Sequence, residues 1–224
     1  AYLLIPLLSG KESLNTLAAK ALGRAGRVSP EALYVLDICL KSQIPGIQDK
    51  ALLAVKEIGS PAFPLLIRYL QDKQIGTEVI ELLAVLNYSP EATAEKIDYY
   101  LATGELRELS RMGRAGMMPL IEAAKNEEFP NRTEAIRALG SASDGSVVEP
   151  LIHLMLSTEE HIRSAARDAI TELGEMAIPQ LRRFSRGHSV LLTRAAAIGL
   201  GLVGYEPETT RDRVWYAAAA NDWD

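Results

Sequence analysis

The chain has 224 residues, of which 48% are hydrophobic and 24% charged, and its formal net charge is −5. This composition excludes a largely disordered chain, because it supplies enough apolar surface to form a core. The acidic balance disfavours nucleic acid as a partner, since duplex-binding proteins carry a basic surface, and the single cysteine, Cys39, excludes an internal disulfide.

The first segment, residues 1–8, is apolar but short, and no basic stretch precedes it as in a signal peptide. No apolar run in the sequence approaches the length that crosses a bilayer, so we expect a cytoplasmic protein that does not enter a membrane. The chain begins inside this apolar segment and ends directly after a helical pattern. We therefore expect it to be a piece of a longer protein.

A Ser-Pro pair occurs three times at nearly constant spacing, 31 and then 29 residues apart. The three pairs are Ser29-Pro30, Ser60-Pro61 and Ser89-Pro90. Serine is a favoured N-cap residue, and proline is favoured at the first helical position. Each pair therefore predicts the start of a helix.

A second recurring pattern is a proline followed by mostly apolar residues at the first, second, fourth and fifth positions after it. These prolines are Pro64, Pro119, Pro150 and Pro179, and the last three are 31 and 29 residues apart. Apolar residues at this spacing form one stripe along a helix. We name this predicted helix helix B and expect it, for example, at residues 61–71 and 147–157.

A third pattern is a helical segment that ends with a glycine after an aliphatic residue. It predicts a second kind of helix, which we name helix A and expect, for example, at residues 47–58 and 159–173. Glycine tolerates the left-handed backbone conformation with which many helices end. The glycines that we expect to end a helix in this way are Gly23, Gly59, Gly140, Gly174 and Gly204.

Residues 199–204 also form a G-x-G-x-x-G motif, the spacing that binds a dinucleotide pyrophosphate when it follows a β-strand. The residues before this motif continue a helical apolar pattern, so it predicts no cofactor site. We expect Gly199 and Gly201 to allow the close approach of a neighbouring helix instead.

Helices A and B alternate in a unit of roughly 30 residues, and about seven such units fit the chain. One hairpin of this length cannot bury its apolar face alone, so neighbouring hairpins must stack on each other. The sequence therefore predicts an all-α solenoid that forms a single continuous domain over residues 1–224.

Residues 132–181 resemble the HEAT-like repeats that are named after phycobilisome lyases. The matching residues are Arg132 with Ala138-Leu139-Gly140, and Arg163 with Ala165-Ala166. Residues 97–123 and 213–224 resemble a variant unit of the same family. The resemblance implies a right-handed α-solenoid of about seven HEAT-like hairpins, in which helix B lines the concave side.

Proteins with such repeats include scaffolds and adaptors, chromophore-lyase subunits and domains appended to enzymes. The resemblance therefore implies a non-catalytic scaffold that binds a protein partner on its concave face. One alternative is a lyase-type or other enzyme subunit that holds a prosthetic group or a substrate protein. A second alternative is nucleic-acid binding through the basic cluster between Arg182 and Arg194, because helical-repeat DNA glycosylases use a basic groove.

Exposed positions on helix B are the candidate partner-binding residues. The third and seventh positions after the register proline point away from the apolar stripe. Two arginines occupy the fourth position, where other units have apolar residues, and an arginine there must reach solvent, pair with an acid or contact a partner. The candidates are Arg68, Glu122, His153, Arg182, Arg183 and Arg186.

The sequence predicts no catalytic, metal-binding or cofactor site. His153 and His161 fall on different predicted helices, and a metal would need further ligands that this spacing does not supply. The fold of deoxyhypusine hydroxylase is similar, but the His-Glu pairs that bind its di-iron centre have no counterpart here. Cys39 lies in an apolar helical run and is expected to fill the core. The sequence therefore favours a protein without enzymatic activity or cofactor.

Overall fold

A computed structural model describes residues 21, 24, 30–44, 46–143, 145–187, 189–210, 213–214 and 216–217. Over these residues the chain forms α-helices and short 3-10 turns and contains no strand, which confirms the predicted all-α class. The described residues form two compact units, one ending at Thr103 and the other beginning at Gly104. The single continuous array over the whole chain stays a prediction.

The first unit contains five described helices and one 3-10 turn, Ser60–Ala62, directly before the third helix. The helices are α1 (Pro30–Leu40), α2 (Ile47–Ile58), α3 (Phe63–Ile67), α4 (Gly76–Val85) and α5 (Thr93–Thr103). Helix α2 packs against α1 and α4, and α3 packs against α4 and α5. Helix α2 has the bounds that the sequence predicts for a helix A.

The second unit alternates two kinds of helix along the chain. The helices are α6 (Leu106–Arg111), α7 (Arg114–Lys125), α8 (Arg132–Leu139), α9 (Val148–Leu154), α10 (Glu160–Leu173), α11 (Ile178–Ser185) and α12 (Val190–Leu202). The A helices α6, α8, α10 and α12 each contact the next A helix, and the B helices α7, α9 and α11 each contact the next B helix. This unit is therefore a stack of two helical layers.

The buried residues of the B helices follow the predicted stripe. In α7 and at the end of α9, the first, second, fourth and fifth positions after the register proline are all buried. These residues are Leu120, Ile121, Ala123 and Ala124, and Leu151, Ile152, Leu154 and Met155. The hydrophobic effect between neighbouring hairpins therefore accounts for this pattern of apolar residues.

The B helices are shorter than the sequence predicts. Helix α3 occupies only five residues of the predicted 61–71, and α9 only seven of the predicted 147–157. A 3-10 turn precedes each of these helices, and hydrogen-bonded turns follow it. The apolar pattern marks which face is buried, and a 3-10 turn can present the same face as an α-helix.

The prediction that each Ser-Pro pair starts an α-helix is wrong at two of the three sites. Ser60 caps no helix: Gly59 holds the cap position, and a 3-10 turn follows. After Ser89-Pro90 the chain makes a bend, and α5 begins only at Thr93. Proline fits turns as well as the first turn of a helix, so the pair marks the approach to a helix. Pro30 does begin α1, and Ser29 lies outside the described residues.

Four of the five glycines predicted to end a helix A are described, and three of them have the expected positive φ. These are Gly59 (76°), Gly174 (55°) and Gly204 (66°), whereas Gly23 lies outside the described residues. Gly140 follows α8 with a φ of −63° instead. A Cβ there would lie 2.9 Å from the Cα of Ala169 in α10. This glycine is therefore required by close packing between neighbouring A helices.

The G-x-G-x-x-G motif lies at the end of a helix and follows no strand. Gly199 and Gly201 are both in α12, and the cap residue of that helix is Val203. A Cβ on Gly199 would lie 2.7 Å from a methyl carbon of Leu181 in α11, so the predicted close helix approach is confirmed at this residue. At Gly201 a Cβ would meet only the hydroxyl of Tyr216.

Side chains one repeat apart in the sequence touch each other. In each of four pairs the two residues are separated by 31 positions, and their polar atoms lie between 2.8 and 3.8 Å apart. The pairs are Asp37 with Arg68, Gln43 with Gln74, Ser110 with Ser141, and Arg137 with Asp168. The period of the sequence is thus the period of the packing.

Gly116 in α7 provides a test of this close packing. A Cβ at this position would lie 2.1 Å from the carbonyl oxygen of Leu109 in α6. Because the obstacle is backbone, the two helices would have to move apart. We therefore predict that Gly116→Ala lowers the free energy of unfolding, measured in urea, by about 2 kcal/mol or more.

Gly201→Ala is the matched control, because that glycine is also helical and faces only a flexible side chain. Alanine has the higher helix propensity, so this control should keep its stability or gain up to about 1 kcal/mol. Equal effects of the two substitutions would contradict the close approach of α6 and α7.

Candidate functional site

Helix α11 carries the most concentrated group of the predicted site residues. Its sequence is IPQLRRFS, and Leu181 is fully buried and anchors the helix. Arg183 and Arg186 are exposed, and Arg182 is half-buried. Together with Pro179 these three arginines line an open pocket of about 520 Å³, which we name the arginine pocket.

The positive charge of the arginine pocket comes from the second half of α11 and from Arg186, the residue that follows the helix. Arg182 and Arg186 are four residues apart, which places them about 6 Å apart along the helix axis. The guanidinium carbon of Arg182 lies 5.6 Å from the centre of the Tyr205 ring, a cation–π distance that helps to orient this side chain. No described acidic side chain pairs with Arg183 or lines the pocket.

The arginines also lie at the C-terminal end of α11, where positive side chains interact favourably with the helix dipole. This interaction is worth only about 0.3–1 kcal/mol for each charge. It accounts for basic residues near the end of the helix. It does not require three of them to surround one pocket.

Arg194, which the sequence groups with these arginines, does not line the pocket. It follows Arg163 by 31 residues, as Arg163 follows Arg132. Arg132 donates a hydrogen bond to the carbonyl of Ala124 (3.1 Å), and Arg163 donates to that of Ser157 (2.7 Å). Arg132 and Arg163 thus bind carbonyls at or just after the end of the preceding B helix. His188 lies outside the described residues.

Arg68 in the first unit has a different environment, because it pairs with an acid. Its Nη2 atom donates to Oδ1 of Asp37 over 2.8 Å. Asp37 is buried in α1 and also accepts hydrogen bonds from Nζ of Lys41 (2.9 Å) and from the hydroxyl of Tyr69 (2.6 Å). We name these four residues the Asp37 cluster.

The Asp37 cluster was missed in the sequence. One feature of the sequence indicates the cluster: the acidic Asp37 lies within the apolar run LYVLDICL, 31 residues before Arg68, which occupies a normally apolar position. Burial alone raises the pKa of Asp37, but the hydrogen bonds from Tyr69 and Lys41 and the charge of Arg68 outweigh it and hold that pKa below its usual value. Burial and the neighbouring carboxylate raise the pKa of Tyr69 well above its usual range. At neutral pH the cluster therefore contains an ionised acid and a protonated phenol.

The remaining candidates lie on the two B helices before α11. Glu122 is exposed on α7, with a carboxylate oxygen 3.9 Å from Nζ of Lys125, and His153 is exposed on α9. Because α7 contacts α9 and α9 contacts α11, the structure places Glu122, His153 and Arg182 on consecutive helices of one layer. Their role in partner binding stays a prediction.

His153 and His161 lie on α9 and α10, as the sequence predicts for two separate helices. In the part of the chain that the structure describes, no three His, Cys, Asp or Glu side chains come together as a metal site would require. Cys39 is buried, which confirms its predicted place in the core, and burial raises the pKa of its thiol. None of the described helices is long and apolar enough to cross a membrane.

The Asp37 cluster predicts a pH-dependent contribution to stability. A carboxyl whose pKa is lowered by folding stabilises the folded state above its unfolded pKa, and this stabilisation is lost as the pH falls through the folded value. We predict that Asp37→Asn lowers the free energy of unfolding by about 1–3 kcal/mol at pH 7, because three hydrogen bonds to an ionised acceptor are weakened. The difference from the unmodified protein should shrink as the pH falls below about 4.

Urea unfolding at several pH values measures this difference. Asp98→Asn is the control, because Asp98 is an exposed acid on α5, and it should change the stability by less than about 0.5 kcal/mol. A deficit of Asp37→Asn that is as large at pH 3 as at pH 7 would contradict the ionised cluster.

Comparisons with known proteins agree with the repeat architecture. A family model for HEAT repeats matches residues 117–211, from α7 to beyond the end of α12. No curated protein sequence matches the chain significantly.

Similar solved structures include an engineered protein, at 19% identity over 96% of this chain and 70% of the other, with a TM-score of 0.40. Human deoxyhypusine hydroxylase in complex with glycerol is similar at 17% identity over 91% and 84% of the two chains, with a TM-score of 0.36. A designed armadillo repeat protein is similar at 16% identity over 90% and 98%, with a TM-score of 0.28. The phycobilisome-lyase type is not confirmed, whereas the family match identifies residues 117–211 as HEAT-like repeats.

Proposed function

We propose that this chain is a non-catalytic scaffold or adaptor that binds a protein partner on the B-helix layer of its second unit. The observation that carries the proposal is the arginine pocket, an open space that three arginines line at the end of α11. Arg183 occupies a position at which the two preceding B helices bury Ala123 and Leu154. A charge at that position does not help the stack to form, so a contact with a partner explains it better.

The shape and chemistry of the pocket favour a protein over a small molecule. Sites for small molecules are enclosed and mainly apolar, whereas the arginine pocket is open and its lining is mostly charged. Arginine is enriched at protein interfaces, because its planar group forms paired hydrogen bonds with carboxylates. The exposed residues on α7 and α9 extend the same surface beyond the pocket.

The distribution of charge favours a protein over nucleic acid. A nucleic-acid groove needs basic residues along its whole length, since it must neutralise successive phosphates. Here the candidates that follow the arginines of the pocket in this layer are His153 and the acidic Glu122. Arg194 does not line the pocket, so the basic residues of the pocket come from one short segment, residues 182–186.

We predict that Arg182→Glu combined with Arg186→Glu abolishes the capture of a specific partner by the tagged chain. The experiment is affinity purification from the native host with quantitative mass spectrometry of the bound proteins. Arg107→Glu combined with Arg111→Glu is the control, because these arginines are exposed on α6, outside the B-helix layer, and the change in net charge is the same. The same proteins should bind to the unmodified chain and to the control.

Two results would overturn this proposal. One is that the pocket variant, with unchanged thermal unfolding, captures the same proteins as the unmodified chain. The other is that nuclease treatment releases every protein whose capture depends on the pocket.

A further inference from the structure

We infer that the first unit contains a docking groove between α2 and α4, which binds a short amphipathic helix that carries basic residues at one end. The two helices pack against each other, and an open cavity of about 300 Å³ lies between them. We name this cavity the α2–α4 groove. It lies in the other unit from the arginine pocket, so the inference does not depend on the proposed function.

The lining of the α2–α4 groove comes from one face of each helix. Helix α2 contributes four residues, from Asp49 to Lys56, at the spacing i, i+3, i+4 and i+7. This spacing places them in one stripe along the helix. Helix α4 contributes the four residues that lie 29 positions later, from Glu78 to Val85. The groove is therefore formed by equivalent faces of consecutive repeats.

The two helices begin side by side. Nε2 of Gln48, in the first turn of α2, donates a hydrogen bond to Oε1 of Gln74 (3.4 Å), two residues before α4 begins. Since equivalent positions line the same cavity, the helices run in the same direction along it. The lining spans seven residues of each helix, which is about 10 Å along the axis.

The centre of the groove is apolar. Leu82 is buried, Leu52 and Leu53 are half-buried, and Val85 at the end of α4 is 60% exposed. Single exposed apolar residues are common on protein surfaces, but Val85 adjoins three leucines in a concave site. A partner that covers these side chains removes apolar surface from water, which favours binding.

Three acids lie toward the start of the two helices. Asp49 and Glu78 are in the first turns of α2 and α4, and Glu81 is in the second turn of α4. The helix dipole favours acids in a first turn, but its effect does not extend to Glu81. Within the described part of the chain, none of these three side chains forms an ion pair or a side-chain hydrogen bond. Their carboxylates are therefore available to a basic partner.

The basic residues of the two helices leave this acidic end unneutralised. Lys56, in the last turn of α2, is the one basic residue among the described residues that line the groove, and it pairs with none of the acids. Lys50 and Glu57, the other charged side chains of α2 besides Asp49, do not line the groove, and α4 has no basic residue. The complementary partner therefore carries basic residues at one end and apolar residues one turn away.

The groove fits a helix better than an extended chain. An extended peptide must pair its backbone groups with those of its receptor, whereas the backbone groups of α2 and α4 are already used within each helix. A helix satisfies its own backbone groups and can place apolar side chains at i and i+4 between two neighbouring helices. We therefore expect the partner segment to lie along the groove as a helix.

Alanine-rich peptides of about eighteen residues, long enough to form a helix, test this arrangement on the full chain. The first has two arginines at i and i+4, followed one turn later by two leucines on the same face. The second has the reverse order, because the partner helix can run in either direction. In the third the leucines are moved to the opposite face, and in the fourth glutamates replace the arginines. Fluorescence anisotropy at low salt should show that the first or the second peptide binds at least about tenfold tighter than the third and the fourth.

Charge-reversal variants locate the basic end of the peptide. Glu78→Lys with Glu81→Lys should weaken the tighter peptide at least about tenfold, because two attractions become repulsions. Glu91→Lys with Asp98→Lys is the control, since both acids are exposed in the first unit outside the groove and the change in net charge is the same. Thermal unfolding should be similar for both variants.

A second pair of variants locates the apolar part of the peptide. Val85→Ser should weaken the tighter peptide several-fold, because it removes apolar contact area without changing any charge. Val190→Ser is the control, because this valine is exposed on α12, away from the groove, and it should leave the affinity unchanged.

Three results would overturn the inference. One is equal binding of the rearranged third peptide, and another is an unchanged affinity of the Glu78 and Glu81 variant. The third concerns a second copy of this chain as the occupant. If sedimentation velocity shows that the chain self-associates and that Val85→Ser abolishes the association, the groove is an interface between copies and not a site for a basic helix.

Discussion

The structure depends on one constraint: each helical hairpin has an apolar face that only its neighbours can cover. Helix α9 has four buried aliphatic residues but only seven residues in all, and it contacts α7, α10, α11 and α12. A helix this short is not stable in isolation, so its stability comes from packing. The side of helix B that faces away from the stripe is free of this constraint. Residues there can differ between repeats, and Arg182, Arg186 and Glu122 occupy positions on that side.

Much of the fold could be predicted because the buried apolar residues recur at regular intervals in the sequence. The spacing of 31 residues appears directly in the side-chain pairs, for example Ser110 with Ser141, and α2 has its predicted bounds. The predicted bounds of two B helices and two of the three Ser-Pro starts were wrong, because an apolar stripe and a proline fit a 3-10 turn as well as an α-helix. Gly140 shows the same limit: its place in the pattern was right, but close packing against Ala169, a tertiary contact, explains it.

The sequence predicted which positions of the B helices carry candidate site residues, but it did not predict which side chains surround them. Arg68 and Arg183 both break the apolar stripe, and both were recognised for that reason. The sequence could not show that Arg68 has an acid partner, because Asp37 belongs to another helix and lies in an apolar run. The sequence groups Arg194 with Arg182 and Arg186, but Arg194 does not line the pocket. Which charged residues lie together therefore depends on the packing of the helices, which proximity in the sequence does not give.

The dependence of each hairpin on its neighbours can be measured directly. Native-state hydrogen exchange, followed by mass spectrometry, reports local opening of individual helices. Leu151→Ala removes a fully buried side chain from α9, so helices that rely on α9 for cover should open more easily. The account predicts that protection falls in α7 and α11 as well as in α9. Unchanged protection in α7 and α11, with a loss confined to α9, would contradict it.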